Sequence, residues 1–421
     1  MSFLPKLFTL SVPLSEYLIG LVLLLYPALL FLVQGAMNGS LFLLVILSIW
    51  FIVEHRKNHS LYFDRTGILF AVAMSSGLLG ILASQLYHDD LSGRYFDSSA
   101  RFLLAIPVLL ALRQVNLKIL NVVQYAFPIG AISALAAVMA VNPSVRYNAS
   151  ISYMNHIHLG DLAILLGFLS VLSIDWIKKD GLALKLLKIS GLIAGMIVSI
   201  FSSARGGWIA VPIFVGVYIY FRTSKIYFKN TGIAFLVFAL TSLLAYLFID
   251  PIHQRLWLIY SDLTAYSGGK TDTSIGVRLQ LWGAALHLIA ENPWLGVGAD
   301  GFGQAMDGLN ASGFITPVAA ELGKGEVHNE ILAQTVRFGV VGLFSILAVY
   351  YVPFYLFVRA AKAGNQLQSG AAMLGMCVTL GFFIFGLTVE TFNLKMTAAF
   401  YALTVAALLA IATHQGKRPA E

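Results

Sequence analysis

The chain has 421 residues, of which 58% are hydrophobic and only 11% are charged, and its mean hydropathy is +0.81. About a quarter of the residues of a soluble domain are charged, so this composition excludes a soluble protein and indicates a polytopic membrane protein. The net charge of +7 does not indicate nucleic-acid binding, because the cations fall in short clusters between apolar runs. The single cysteine, Cys377, excludes an intramolecular disulfide and a thiolate metal site.

Apolar runs that could cross a bilayer recur along the chain and are separated by polar turns. We expect about twelve transmembrane helices, near residues 11–33, 41–53, 67–86, 101–112, 119–141, 162–174, 186–201, 208–221, 233–249, 331–358, 373–387 and 396–411. Lys and Arg cluster in every second turn and near both termini, which places both termini in the cytoplasm by the positive-inside rule. The sequence therefore predicts an all-α, polytopic bundle whose remaining turns face the outer side.

One long polar segment, 250–327, separates nine predicted spans in 1–249 from three in 328–421. Within it Arg278, Trp282 and Ile289 fall on one helical stripe, and an Asn-Pro pair then ends that helix. We expect this segment to form a small helical cap on the outer face, integrated with the bundle rather than folded as a separate domain.

His328 stands where the tenth predicted span begins. A helix N-terminus disfavours an added positive charge, so the imidazole is expected to be neutral, as a general base requires. The alternative is a polar interfacial residue that only caps the helix. Glu330 is expected on a different helix face and so is not expected to orient His328.

Arg205 lies in a tight outer turn, 202–207, that carries two serines and two glycines before the next helix. Free backbone N–H groups, a guanidinium and hydroxyls together make a potential phosphate site. Arg278 shares its stripe with Trp282, which predicts an arginine turned inward. For both arginines the alternative is a side chain that snorkels to lipid headgroups.

Two further patterns are less specific. The G-x-G-x-x-G string at 296–301 follows a helix stop rather than a strand, so we interpret it as a Gly-rich turn of the cap and not as a nucleotide site. His88-Asp89-Asp90 and the pair His156 and His158 could bind a metal, but their spacing is unspecific. The first outer loop, 34–40, contains no carboxylate, and we expect no metal.

Four motifs occur in a fixed order: S-x-R-G at 203–206, G-x-R-x-x-x-W at 276–282, N-P-x-x-G-x-G at 292–298 and H-N-x-x-L at 328–332. The set resembles the O-antigen ligase superfamily over essentially the whole chain. This resemblance implies a GT-C-like glycosyltransferase in the bacterial inner membrane, with its active site facing the periplasm. His328 would be the catalytic base, and Arg205 and Arg278 would hold the lipid-linked pyrophosphate. No metal or other cofactor would be needed.

The resemblance also implies the partners. They are an undecaprenyl diphosphate-linked glycan as the donor, the lipid A-core as the acceptor and the surrounding membrane lipids, with no nucleic acid. The residues expected to contact substrate are Ser203, Gly206, Trp282, Asn329 and Glu390, the last of which matches the family's acidic residue only loosely.

Within the superfamily, an O-antigen polymerase and a protein-glycosylating oligosaccharyltransferase are alternatives. The latter tend to be longer and carry an added soluble segment. A transporter of lipid-linked sugars is less favoured, because transporters place ionisable residues near the bilayer midplane, whereas the candidates here lie at outer helix ends.

Overall fold

The computed structural model describes residues 13–55, 63–141, 148–204, 206–222 and 250–414. Within these ranges the chain is helical and contains no strand beyond an isolated bridge between Ile151 and Met154, which confirms the predicted all-α class. The α-helices are α1 Leu14–Leu32, α2 Ala36–His55, α3 Arg65–His88, α4 Phe96–Leu112, α5 Leu117–Leu120, α6 Val123–Val141, α7 His156–Leu172, α8 Leu182–Ser202, α9 Gly206–Arg222, α10 Asp250–Ser267, α11 Ser274–Glu291, α12 Gly301–Ala311, α13 Pro317–Gly323, α14 Glu330–Ala363, α15 Gln366–Gly386 and α16 Lys395–Ala412.

Nine helical segments in the described ranges are long and apolar enough to cross a membrane, and two shorter apolar helices, α7 and α9, join them. These eleven segments, nine plus two, coincide with eleven of the twelve predicted spans. The remaining predicted span, 233–249, lies outside the described residues. The chain is thus a polytopic helical membrane protein.

Helix α16 lies at the centre of the bundle and packs against α2, α4, α14 and α15. It is almost wholly buried, and its many alanines allow the neighbouring helices to approach closely. Aromatic side chains lock the turn before it: the Phe392 ring lies 5.6 Å from that of Phe382 and 5.5 Å from that of Tyr350. The turn 387–394 between α15 and α16 is therefore fixed against the core.

Helices α10–α13 form the cap, and we call the end of the bundle that they cover the cap end. The apolar core of the cap includes Leu281 of α11 and both Phe302 and Met306 of α12. The same cluster continues into Val327 and Val336, which belong to the approach to α14 and to α14 itself. The cap consequently shares its core with a membrane helix.

Helix α14 is broken at Gly339, whose φ of 64° and ψ of −152° are non-helical. The motif segment 292–298 supplies the missing backbone partners. The Val297 N–H donates to the Val336 carbonyl at 2.8 Å, and the Val340 N–H donates to the Pro293 carbonyl at 2.8 Å. A Cβ atom on Gly339 would lie 2.2 Å from the Trp294 backbone, so only glycine fits this crossing.

The same segment is joined to α3. The Ser84 hydroxyl donates to the Leu295 carbonyl at 2.9 Å, and His88 Nε2 lies 3.0 Å from the Gly296 carbonyl oxygen. Gly296 and Gly298 both have positive φ, at 69° and 85°. The Gly-rich string thus forms a turn of the cap whose backbone contacts α3 and α14. This agrees with its interpretation as a structural turn.

Candidate active site

His328 lies two residues before α14, in a left-handed bend with φ of 59°. Asn329 is the N-cap of α14, and its side-chain oxygen accepts from the Leu332 N–H at 3.0 Å. The helix therefore begins two residues after His328 rather than at His328 itself. A positive φ is uncommon for a residue with a side chain, so the surroundings must hold His328 in this bend.

Three hydrogen bonds hold the segment around His328. The Trp282 indole N–H donates to the His328 carbonyl at 3.3 Å, which ties the bend to α11. The Val327 N–H donates to Glu390 Oε1 at 2.5 Å, and the Asn329 side-chain amide donates to the Leu387 carbonyl at 3.3 Å. The bend is thus held between the cap and the turn 387–394.

Glu326 is the ionic neighbour of His328. Its Oε1 lies 2.9 Å from His328 Nδ1, and the two side chains are 20% and 15% exposed. The two atoms are within ion-pairing distance, although Nδ1 has no contact with hydrogen-bond geometry in the described residues. Burial alone would raise the pKa of Glu326, but His328, the charge of His158 and a backbone N–H of Glu390 outweigh it and lower that pKa.

Glu390 and Arg337 form a buried ion pair behind the bend. Arg337 donates to Glu390 Oε2 at 2.6 Å and to Oε1 at 3.1 Å, a two-pronged arrangement that fixes both side chains. The Glu390 side chain is only 1% exposed. Because Oε1 also accepts from Val327, Glu390 links Arg337 directly to the residue before His328.

Arg278 approaches the same group from α11. It is half-buried, and its Nη1 donates to the Ser274 hydroxyl at 3.1 Å. Burial lowers the pKa of Arg278, whereas the nearby charges of Glu326, Asp262 and Asp161 oppose that shift. An arginine starts from so high a pKa that it remains charged at neutral pH. Arg278 and His328 consequently share Glu326 as a neighbour.

Helix α7 contributes two polar residues from the opposite side. His158 Nε2 lies 3.2 Å from the Glu390 carbonyl oxygen. Asp161 is 2% exposed, and a Cβ atom on Gly207 would lie 2.7 Å from its Oδ1. The Asp161 carboxyl therefore faces the first turn of α9, next to the predicted phosphate turn.

That turn is only partly described. Arg205 lies outside the described residues. Ser203 directly follows α8 with φ of 63°, and its hydroxyl accepts from the Asn148 N–H at 3.3 Å. Gly206 begins α9, and a Cβ atom there would lie 2.4 Å from the Thr388 hydroxyl oxygen. The turn 202–207 therefore adjoins the turn 387–394, which also contacts the segment that carries His328.

The structure brings together Trp282, His328, Asn329 and Glu390, with Arg278 coupled to them through Glu326. The expectation that Glu330 does not orient His328 agrees with the structure, because the Glu330 carboxylate accepts from the Phe392 N–H at 2.9 Å. In the described part of the chain no three His, Cys, Asp or Glu residues are grouped closely enough to hold a metal ion.

Sequence reasoning missed four residues of this group: His158, Asp161, Glu326 and Arg337. Glu326 could have been found from its spacing two residues before His328. Arg337 follows Glu330 by seven residues and so lies on the same face of α14. His158 was considered only as a metal ligand.

Comparison with known proteins finds relatives of this part of the chain. Residues 189–347, which contain Arg205, Arg278 and His328, match the family described as O-antigen ligase. The chain is 27% identical over 136 residues to an O-antigen ligase of Escherichia coli strain K12, which covers 32% of each chain. It is 28% identical over 290 residues to an uncharacterized protein of Haemophilus influenzae, covering 67% of this chain and 71% of that one. These matches support the O-antigen ligase superfamily for this chain, which implies a glycosyltransferase-type enzyme.

Proposed function

We propose that this protein transfers a glycan from undecaprenyl diphosphate to the lipid A-core oligosaccharide. The reaction would take place on the periplasmic side of the bacterial inner membrane, with both termini in the cytoplasm. One observation carries the proposal: His328 is held in a left-handed bend by Trp282 and the Glu390–Val327 contact, with its imidazole beside Glu326. A helix cap needs no such arrangement.

His328 acts as the general base. Glu326 beside Nδ1 favours the tautomer that carries its proton there, which leaves the Nε2 lone pair free. Nε2 takes the proton from an acceptor hydroxyl as the hydroxyl oxygen bonds to the anomeric carbon of the donor glycan. The bond from that carbon to the diphosphate oxygen breaks, and its electron pair leaves with the diphosphate. Attack opposite the leaving group inverts the anomeric configuration.

Arg278 and Arg205 stabilise the charge that builds up on the departing diphosphate. A guanidinium matches phosphate oxygens in a planar, two-pronged geometry and stays charged when it is partly buried. Arg278 fits this role, since its Nε is buried with no hydrogen-bond partner in the described residues. Because the diphosphate is already an activated leaving group, the reaction needs no ATP, and we assign no metal or cofactor to it.

The other predicted contact residues divide into two roles. Glu390 has both carboxylate oxygens bound to Arg337 and Val327, so we assign it to positioning the His328 bend rather than to substrate contact. Trp282 and Asn329 hold the same bend. Ser203 and Gly206 remain candidates for the diphosphate, because they lie in the turn next to α9.

The test is product formation by purified protein in detergent micelles. A lipid-linked glycan is offered with lipid A-core, with lipid-linked glycan alone, or with an acceptor protein, and the products are resolved by mass. We expect a ligated product only with lipid A-core. Growth of the lipid-linked glycan would instead identify a polymerase, and a modified protein would identify a protein glycosyltransferase. No product in any mixture would contradict the assignment as a transferase.

A further inference from the structure

A cavity of about 590 Å³ lies at the cap end, between α3, α4, α12, α14 and the turn 387–394. Its volume falls within the roughly 300–1,000 Å³ of ligand pockets. Arg337 and Glu390 line it, whereas His328, Glu326 and Arg278 do not. The buried ion pair thus has the His328 bend on one side and this cavity on the other.

The charges around the cavity are balanced. Its eight charged lining residues form four ion pairs, which are Arg94–Asp300, Lys395–Asp97, Lys324–Asp307 and Arg337–Glu390. Each cation already has a carboxylate partner, so a diphosphate would gain little here. The lining therefore fits a ligand that binds through hydroxyl groups better than one that binds through an anionic group.

Two polar groups in the wall are free to bind such a ligand. The side-chain amides of Gln304 on α12 and Asn393 in the turn 387–394 are exposed, and neither makes a side-chain hydrogen bond within the described ranges. An amide both donates and accepts, as pairs of sugar hydroxyls require. Phe302, Phe338 and Phe392 also line the cavity and offer apolar surface to the C–H face of a sugar ring.

We propose that this cavity binds an oligosaccharide through its hydroxyl groups. The inference rests on the proposed function, for which it supplies a saccharide site separate from the diphosphate site at Arg278 and the α9 turn. Binding here would place sugar against the Arg337–Glu390 pair, which is bonded to the residue next to His328. The oligosaccharide could be the acceptor core or the glycan of the donor, and both share this chemistry.

The test uses Gln304→Ala, Asn393→Ala and the double variant, with Asn310→Ala as the matched control. Asn310 is also on α12 but does not line the cavity. The probe is the core oligosaccharide released from lipopolysaccharide by mild acid, and its Kd is measured by calorimetry on the purified, full-length protein. One lost neutral hydrogen bond should raise Kd about two- to tenfold, and the double variant should lose more. The Asn310→Ala variant should bind as the wild type does.

A second probe separates the two sources of oligosaccharide. Undecaprenyl diphosphate with and without its glycan is titrated into the same variants. The cavity holds the acceptor if the variants bind the core oligosaccharide more weakly while the glycan adds the same affinity to undecaprenyl diphosphate in every variant. If only the affinity added by the glycan falls, the cavity holds the donor chain. Unchanged affinity of the double variant for both saccharides would overturn the proposal.

The outcome is separable from that of the proposed function. Weakened oligosaccharide binding in the double variant supports the cavity even if the wild type forms no transfer product. Conversely, a wild type that forms product while the double variant keeps both affinities would retain the transferase and refute the saccharide cavity.

Discussion

Lys188 and Asp180 form a buried ion pair at the end of the bundle away from the cap, and Arg337 and Glu390 form another at the cap end. Lys188 uses all three of its N–H donors, to Asp180 at 2.8 Å, the Ser173 carbonyl at 2.6 Å and Gln124 at 3.0 Å. The side chains of Lys188 and Asp180 are almost wholly buried, at 0% and 1% exposed. We call Lys188–Asp180 the closed pair, because both side chains are buried and every Lys188 donor is used. The closed pair joins α6, α8 and the turn after α7.

We call Arg337–Glu390, at the cap end, the open pair, because it is partly exposed. Arg337 is 17% exposed and lines the cavity, and among the described residues its side chain donates its two hydrogen bonds to Glu390. Glu390 reaches on to the Val327 N–H, next to His328. A buried ion pair is weak evidence for stability in itself, because desolvation offsets much of the attraction. What distinguishes the two pairs is therefore what each one touches, and variants can test that difference.

His328→Ala should have the largest effect on transfer. Loss of the base should lower the single-turnover rate roughly 10²–10⁴-fold, while undecaprenyl diphosphate affinity stays within about twofold, because the arginines remain. His287→Ala is the control, since His287 is a histidine of the cap, on α11, and is paired at the surface with Glu291. Full transfer by a folded His328→Ala protein would reduce His328 to a residue that shapes the helix start.

Breaking the open pair should reduce both stability and transfer. Arg337→Met leaves the buried Glu390 carboxylate without its partner, which should lower the free energy of unfolding by about 3–5 kcal/mol. The double variant Arg337→Met/Glu390→Leu should regain most of that stability, as judged by denaturant titration in micelles. Its transfer rate should stay about 10²-fold low, because a small misplacement of a reacting group can cost that much. Recovery of transfer together with stability would show that the pair is only structural.

Glu326→Gln should have a smaller effect, about tenfold on transfer, because it removes a group that orients His328 and leaves the base itself. It should also change the acid side of the stability profile. The pKa of Glu326 is lowered in the folded protein, so its stabilisation is complete above the ordinary carboxyl value of 4.5 and is lost as pH falls through the lowered pKa. Glu326→Gln should lack this loss of stability as pH falls. An identical acid limb in variant and wild type would refute the Glu326–His328 pairing.

Replacing the closed pair should leave transfer nearly unchanged. Lys188→Met alone leaves Asp180 buried and uncompensated, and should destabilise the protein by about 3–5 kcal/mol. Lys188→Met/Asp180→Leu should restore most of that stability, with the transfer rate per folded molecule within about twofold of the wild type. A large loss of transfer in the folded double variant would mean that the two pairs do not differ as proposed.

Much of the bundle could be predicted because it rests on local composition. Apolar runs and cation clusters predicted the eleven apolar segments within the described residues. The stripe of Arg278 and Trp282 predicted an arginine turned inward, on the helix whose Trp282 contacts His328. The break at Gly339 could not be predicted, since a glycine within an apolar run looks the same whether or not another segment crosses there. Glycine is required at 339 because the segment 292–298 crosses the helix there.

The site was predicted less completely for a similar reason. His328 and Arg278 stand in recognisable motifs, but Arg337 and His158 acquire their roles from the turn 387–394, which is distant in the chain. Contacts between distant segments leave no periodic pattern in a single sequence. For Glu390 the sequence predicted substrate contact, and the geometry instead supports a positioning role, which stays a proposal.

A double-mutant cycle between His328 and Glu390 tests the central claim most directly, namely that the open pair acts on the chemistry through His328. Single-turnover transfer is measured for His328→Ala, Glu390→Gln and the double variant, with folding verified by size exclusion. If Glu390 acts by holding the His328 bend, Glu390→Gln should lower transfer in the wild-type background and have almost no further effect once His328 is alanine. If the two losses instead multiply, Glu390 acts independently of His328, and the account of a positioning pair is contradicted.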